Sequence, residues 1–79
     1  MDESRASQRR KTLKGGSIYF DWGVIDCVIR NLSDTGALLE VESPIGIPDK
    51  FDLIIKPETI RRQCAVARRS AKSIGVRFV

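Results

Sequence analysis

The sequence predicts an all-β fold, a six-stranded antiparallel barrel, and three observations carry that reading. From Gly16 onward, β-branched and aromatic residues recur in short bursts bounded by Gly, Pro, Asn and Asp. Within those bursts apolar and polar residues alternate, the period of a strand with one face in a core. No window of about 11 residues or more carries the apolar stripe of a helix.

The elements follow in order. Ser17 to Asp21 reads as the first strand, with a tight turn at Trp22-Gly23. The second strand runs from Val24 to about Leu32, where Ile25, Cys27 and Ile29 alternate with Asp26, Val28 and Arg30. Asp34 to Gly36 turns the chain, and Ala37, Leu39 and Val41 alternate with Leu38, Glu40 and Glu42 in the third strand. Ser43 to Pro48 holds Pro44, Gly46 and Pro48 and reads as a loop, since proline removes ladder donors and glycine relaxes the backbone. Phe51, Leu53 and Ile55 set the inward face of the fourth strand, which Pro57 ends. Cys64 and Val66 mark the fifth strand, and Ile74, Val76 and Phe78 the sixth. Six short strands leave a barrel or a two-sheet sandwich, and closure favours the barrel because it hides edges so short a sheet cannot otherwise protect.

With 79 residues the chain has room for one core. No run approaches the roughly 20 apolar residues of a membrane-spanning helix, and the polar, basic N-terminus lacks an apolar signal region, so a cytoplasmic protein is expected. Histidine is absent, which removes the commonest general base and the commonest metal ligand. No nucleophile and base pair or carboxylate dyad stands out either, so the sequence predicts a protein that is not an enzyme and holds no metal. Cys27 and Cys64 sit singly among aliphatic residues, with neither metal-ligand nor CxxC spacing. Buried free thiols are expected; counting alone leaves a disulfide open, and a cytoplasmic setting argues against one.

Charge is uneven. Residues 1–14 carry Arg5, Arg9, Arg10, Lys11 and Lys14 against Asp2 and Glu3, which accounts for +3 of the net +4. Such a cationic, apolar-poor segment should be flexible by itself and attract an anion, whether a nucleotide, a nucleic acid or an acidic surface. Residues 15–79 form the nearly neutral folded domain.

Two motifs stand out. Arg5-Ala6-Ser7-Gln8-Arg9 is an RxxxR spacing, followed directly by Arg10 and Lys11. Asn31-Leu32-Ser33-Asp34-Thr35-Gly36 is a [D/N]xSxxG run at the junction of the second and third strands. There the short Asn and Ser side chains present hydrogen-bonding groups fixed by the sheet, and Gly36 permits positive φ or a close backbone approach. An ordinary Asx or Ser turn in a hairpin would use the same residues.

Together, in this order, the motifs resemble the PilZ domain, a receptor module for cyclic di-GMP. Leu13-Lys14-Gly15, Ile45-Gly46-Ile47-Pro48 and Ile74-Gly75-Val76-Arg77-Phe78 also look like single-domain members of that family. The resemblance implies a PilZ-like barrel in which Arg5 and Arg9 clamp cyclic di-GMP. Asn31, Ser33 and Gly36 then line the barrel beneath the ligand, and Arg10 adds a phosphate contact. Arginine suits this ligand because its guanidinium forks onto phosphate or onto guanine O6 and N7, or stacks on the base. Cyclic di-GMP would be a ligand, with no cofactor besides it, and ordering of the N-terminal segment would signal to a downstream protein partner. The chain departs from the family pattern at Gln8, where proline is frequent, and at Arg68, where tryptophan is.

Two other readings use the same residues. A degenerate PilZ domain would serve only as a protein interaction module, with Leu38 and Ile54 forming an exposed apolar patch and Trp22 either an anchor or a lid on the barrel end. A nucleic-acid-binding barrel would also be basic, yet five aromatics without an RNP-like cluster offer few platforms for stacked bases, so no nucleic acid is expected as a partner.

Overall fold

The computed structural model describes the backbone of residues 10–79 and the side chains from Leu13 onward. Six strands form, β1 (Arg10–Phe20), β2 (Gly23–Leu32), β3 (Gly36–Glu40), β4 (Lys50–Ile55), β5 (Ile60–Arg69) and β6 (Ser73–Phe78). They close into a barrel in the order β1-β2-β3-β6-β5-β4, every neighbouring pair antiparallel. The barrel expected from the sequence is therefore the observed fold, and a two-sheet sandwich is not.

The interior follows from period-two alternation. Ile18, Ile29, Leu39, Leu53 and Ile74 are fully buried, one from each of β1, β2, β3, β4 and β6. Burial of each such side chain contributes about 1.5–3 kcal/mol, so the five alone carry much of the stability of so small a domain. Val41 and Ile47, from the loop between β3 and β4, reach into the same core. Hydrogen bonds from Val41 N–H to Lys72 C=O (2.9 Å) and from Val66 N–H to Asp49 C=O (2.8 Å) hold that loop against the β5–β6 side.

Both cysteines are buried free thiols, as expected. Loss of hydration pushes Cys27 up from 9.0 to about 11, with Asp26 adding to the rise. Burial likewise pushes Cys64 up to about 12, with the nearby Arg62 cation opposing it.

Three expectations need correction. β1 begins at Arg10 rather than Ser17, with Arg10, Lys11 and Lys14 paired to Leu32, Asn31 and Ile29 of β2. The long β2 offers a ladder to any extended neighbour, and backbone pairing does not require apolar side chains. Residues 1–9, including the rest of the basic segment, lie outside the described residues. Leu38 and Ile54 form no common patch, because β3 and β4 lie on opposite sides of the closed ring. Trp22 packs edge-on against Phe20, with centroids 5.2 Å apart and planes at 68°, yet remains 68% exposed. It therefore covers Phe20 and does not plug the barrel end.

Candidate functional site

Strict alternation along β2 would place residue 31 inside with Ile25, Cys27 and Ile29. A bulge intervenes: Ile29 faces Leu39 and Asn31 faces Leu38, so β2 spends one more residue than β3 between the two pairs. Paired residues share a face, and two consecutive side chains, Arg30 and Asn31, consequently turn outward. Arg30 makes an ion pair with Glu40 at 3.0 Å on that outer wall. Leu32 swings inward and packs against the core. A matching irregularity in β1, between Lys11 and Lys14, keeps the two strands paired through the bend.

Beyond Leu32 the chain reverses through Ser33 to Gly36. Ser33 Oγ accepts hydrogen bonds from the backbone N–H groups of Thr35 and Gly36, both at 3.2 Å, while Ser33 N–H donates to Gly36 C=O at 2.9 Å. The serine turn foreseen from the sequence is thus present, and Ser33 fixes its shape. Phe78 N–H donates to Thr35 C=O at 2.8 Å and docks the turn on β6.

Gly36 owes its identity to a close backbone approach and not to positive φ. A Cβ there would collide with the Val76 carbonyl oxygen, and would lie 3.3 Å from the carbonyl carbon and 3.4 Å from Arg77 Cα. β6 crosses too near for any side chain.

An outward-facing row runs around the wall from Asn31 to Leu38, Gly75 and Arg68, each paired with the next. The missing side chain at Gly75 leaves a gap that the stem of Arg68 overhangs, its Cγ 3.7 Å from where a Cβ would be. On one side of Leu38 lies a groove of about 320 Å³ between the Ser33–Gly36 turn, Arg68 and Arg77. On the other is a hollow of about 840 Å³ bounded by Leu13, Asn31, Glu40 and the β5–β6 turn with Lys72. Leu38 is the ridge between them.

Of the residues nominated from the sequence, Ser33 and Gly36 share the smaller groove and Asn31 borders the larger hollow across the Leu38 ridge. Arg10 lies in β1, its backbone paired with Leu32 beside the rim of the groove. Arg5 and Arg9 lie outside the described residues. Leu38 and Arg77 were not singled out as site residues. Alternation around Val76 puts Arg77 on the outer face, but its position opposite Gly36 depends on β3–β6 pairing, which no local signal reveals. Among the described residues no group of three or more His, Cys, Asp or Glu could hold a metal ion. No helix there is long and apolar enough to cross a membrane.

The structure is a closed antiparallel barrel whose outer wall carries two adjoining hollows with hydroxyl, amide and guanidinium groups at their margins. The PilZ domain family matches residues 3–79, nearly the whole chain, and the protein belongs to that family. PilZ domains are cyclic di-GMP-binding modules and act as receptors rather than enzymes. No curated protein matches the chain.

Proposed function

We propose that the protein is a cytoplasmic bacterial receptor for cyclic di-GMP and that Arg5 and Arg9 close on the ligand while Asn31, Ser33 and Gly36 support it from the barrel wall. The observation that supports this reading is the placement of Asn31 at one hollow of the outer wall and of Ser33 and Gly36 at the adjoining groove, with only Leu38 between. Arg10, whose backbone pairs with Leu32 beside the rim, adds a phosphate contact in this reading. Gly36 lets β3 and β6 approach closely and so holds the Ser33–Gly36 turn in place beside the ligand. Fixing residues 1–9 against the barrel costs conformational entropy, and the resulting change of shape is the signal read by a downstream protein. No cofactor besides the ligand takes part.

Calorimetric titration with cyclic di-GMP tests this, with GTP and a short DNA duplex as controls. Arg5→Ala and Arg9→Ala should each weaken binding by about 1.5–3 kcal/mol, the worth of a charge-assisted hydrogen bond. Unchanged affinity in both variants would remove the clamp. Absence of any heat with cyclic di-GMP would leave the domain a protein interaction module.

A further inference from the structure

Four of the six arginines whose side chains are described have an evident counterpart. Arg30 meets Glu40 at 3.0 Å, Arg61 meets Asp52 at 3.1 Å, and Arg69 meets Asp49 at 2.9 Å. Arg62 lies over the ring of Phe78, 4.0 Å from its centroid. The remaining two, Arg68 and Arg77, meet no carboxylate among the described residues, and both line the groove beside the Ser33–Gly36 turn.

Sheet register holds this pair together. Gly75 and Arg77 both face outward from β6, where Gly75 pairs with Arg68 and Arg77 with Ala65. The two cations therefore occupy diagonal positions on adjacent strands, about 7–8 Å apart at the backbone and within mutual reach of long side chains. Like charges so placed repel one another, and an anion between them relieves that repulsion. The groove has space for one, about 320 Å³, and Gly75, opposite Arg68, puts no side chain into it. The hydroxyl of Thr35, on the facing rim, adds a neutral donor, while that of Ser33 is donated within the turn to Gly36 C=O.

We infer that Arg68 and Arg77 form a phosphate subsite, in which the groove over Gly36 and Gly75 takes phosphoryl or phosphodiester oxygens of a nucleotide. The inference rests on the cyclic di-GMP reading and adds to it a contact from β5 and β6 that neither sequence motif contains. Its chemistry is that of forked guanidinium donors closing on phosphate oxygens.

The test is titration of cyclic di-GMP into wild type, Arg68→Ala, Arg77→Ala and Arg77→Lys at two salt concentrations. Arg61→Ala, whose partner is Asp52 on another part of the wall, serves as control. Each alanine variant should bind about tenfold more weakly, the equivalent of one charge-assisted contact, and with a shallower salt dependence. Lysine at 77 should restore only part of the loss, and the control should match wild type. Arg77→Gln, which keeps most of the stem, replaces the alanine variant should that one fail to fold. Wild-type affinity in Arg68→Ala and Arg77→Ala, with binding lost in Arg5→Ala, would overturn the subsite and leave the receptor reading intact. Should wild type not bind cyclic di-GMP at all, the receptor reading fails and the subsite is judged with GTP and inorganic pyrophosphate. Shifts of the Gly36 and Gly75 amide resonances that Arg77→Ala abolishes would then support it. Their absence with both compounds would overturn it. A response to GTP but not to pyrophosphate would assign the groove to a nucleotide phosphate.

Discussion

Replacing Gly36 with alanine places a methyl group where β6 already runs. The new Cβ overlaps the Val76 carbonyl oxygen, which is backbone and cannot rotate aside. Relief requires β3 and β6 to part at the Gly36–Arg77 pair, the point where Ser33 N–H meets Gly36 C=O and Phe78 N–H meets Thr35 C=O. Overpacking of this kind costs about 1–3 kcal/mol, and weakening one of those backbone bonds adds about 1 kcal/mol. A total of about 2–4 kcal/mol in so small a domain corresponds to a melting point lower by about 10–20 °C. Two other glycines supply the comparison. A Cβ at Gly15 meets nothing within 4 Å, and one at Gly75 makes only ordinary contact with the Arg68 side chain. Gly15→Ala should leave the melting point unchanged or raise it slightly through the unfolded state, and Gly75→Ala should lower it little. Thermal unfolding followed by circular dichroism reads all three. A Gly36→Ala protein that melts within about 3 °C of Gly15→Ala would refute the close-approach argument, since an overlap worth even 1 kcal/mol exceeds that interval.

Ser33→Ala removes the acceptor for the Thr35 and Gly36 amides and should cost about 1–2 kcal/mol in urea unfolding, with weaker cyclic di-GMP binding as the turn loosens. Unaltered stability would mean that the turn does not depend on the hydroxyl. Cys27 and Cys64, pushed up to about 11 and about 12, should resist thiol reagents in the native protein at pH 8 and react on unfolding. Because folding raises both, their contribution to stability is full below about pH 9 and is lost as pH rises through 11 to 12. A Cys27→Ala, Cys64→Ala protein should therefore lose less stability than wild type over that interval in pH-dependent unfolding, and an equal loss would contradict the assignment. Cyclic di-GMP affinity should fall less than about tenfold between low and physiological salt, while DNA binding should be weak and decline with a slope of about −0.9 per phosphate neutralised. Tight DNA binding that survives physiological salt, with no response to cyclic di-GMP, would reverse the functional reading.

Much of this architecture is written locally. Alternation in Ile25-Asp26-Cys27-Val28-Ile29 and in Phe51-Asp52-Leu53-Ile54-Ile55 specifies strands with one buried face, whatever their partners, because successive side chains must point to opposite sides of an extended chain. The prolines and glycines between them bound the elements, and Ser33 with Gly36 marks a turn through side-chain chemistry confined to four residues. The turn at Ser33 to Gly36 was accordingly legible from sequence, while the candidate ligand role of Asn31, Ser33 and Gly36 came from the family resemblance. Three things were not legible there. Asn31 faces out and Leu32 in because β2 carries a bulge opposite β3, and a bulge is a property of two strands in register. Gly36 is glycine because of the Val76 backbone, 40 residues away along the chain and adjacent only once β3 and β6 pair. Arg68 and Arg77 share a groove for the same reason, their positions across Gly75 and Gly36 being set by closure of the barrel. Alternation and turn chemistry act over a few residues and survive in the sequence as pattern. Register and close approach are relations between distant segments, and only the folded barrel decides them.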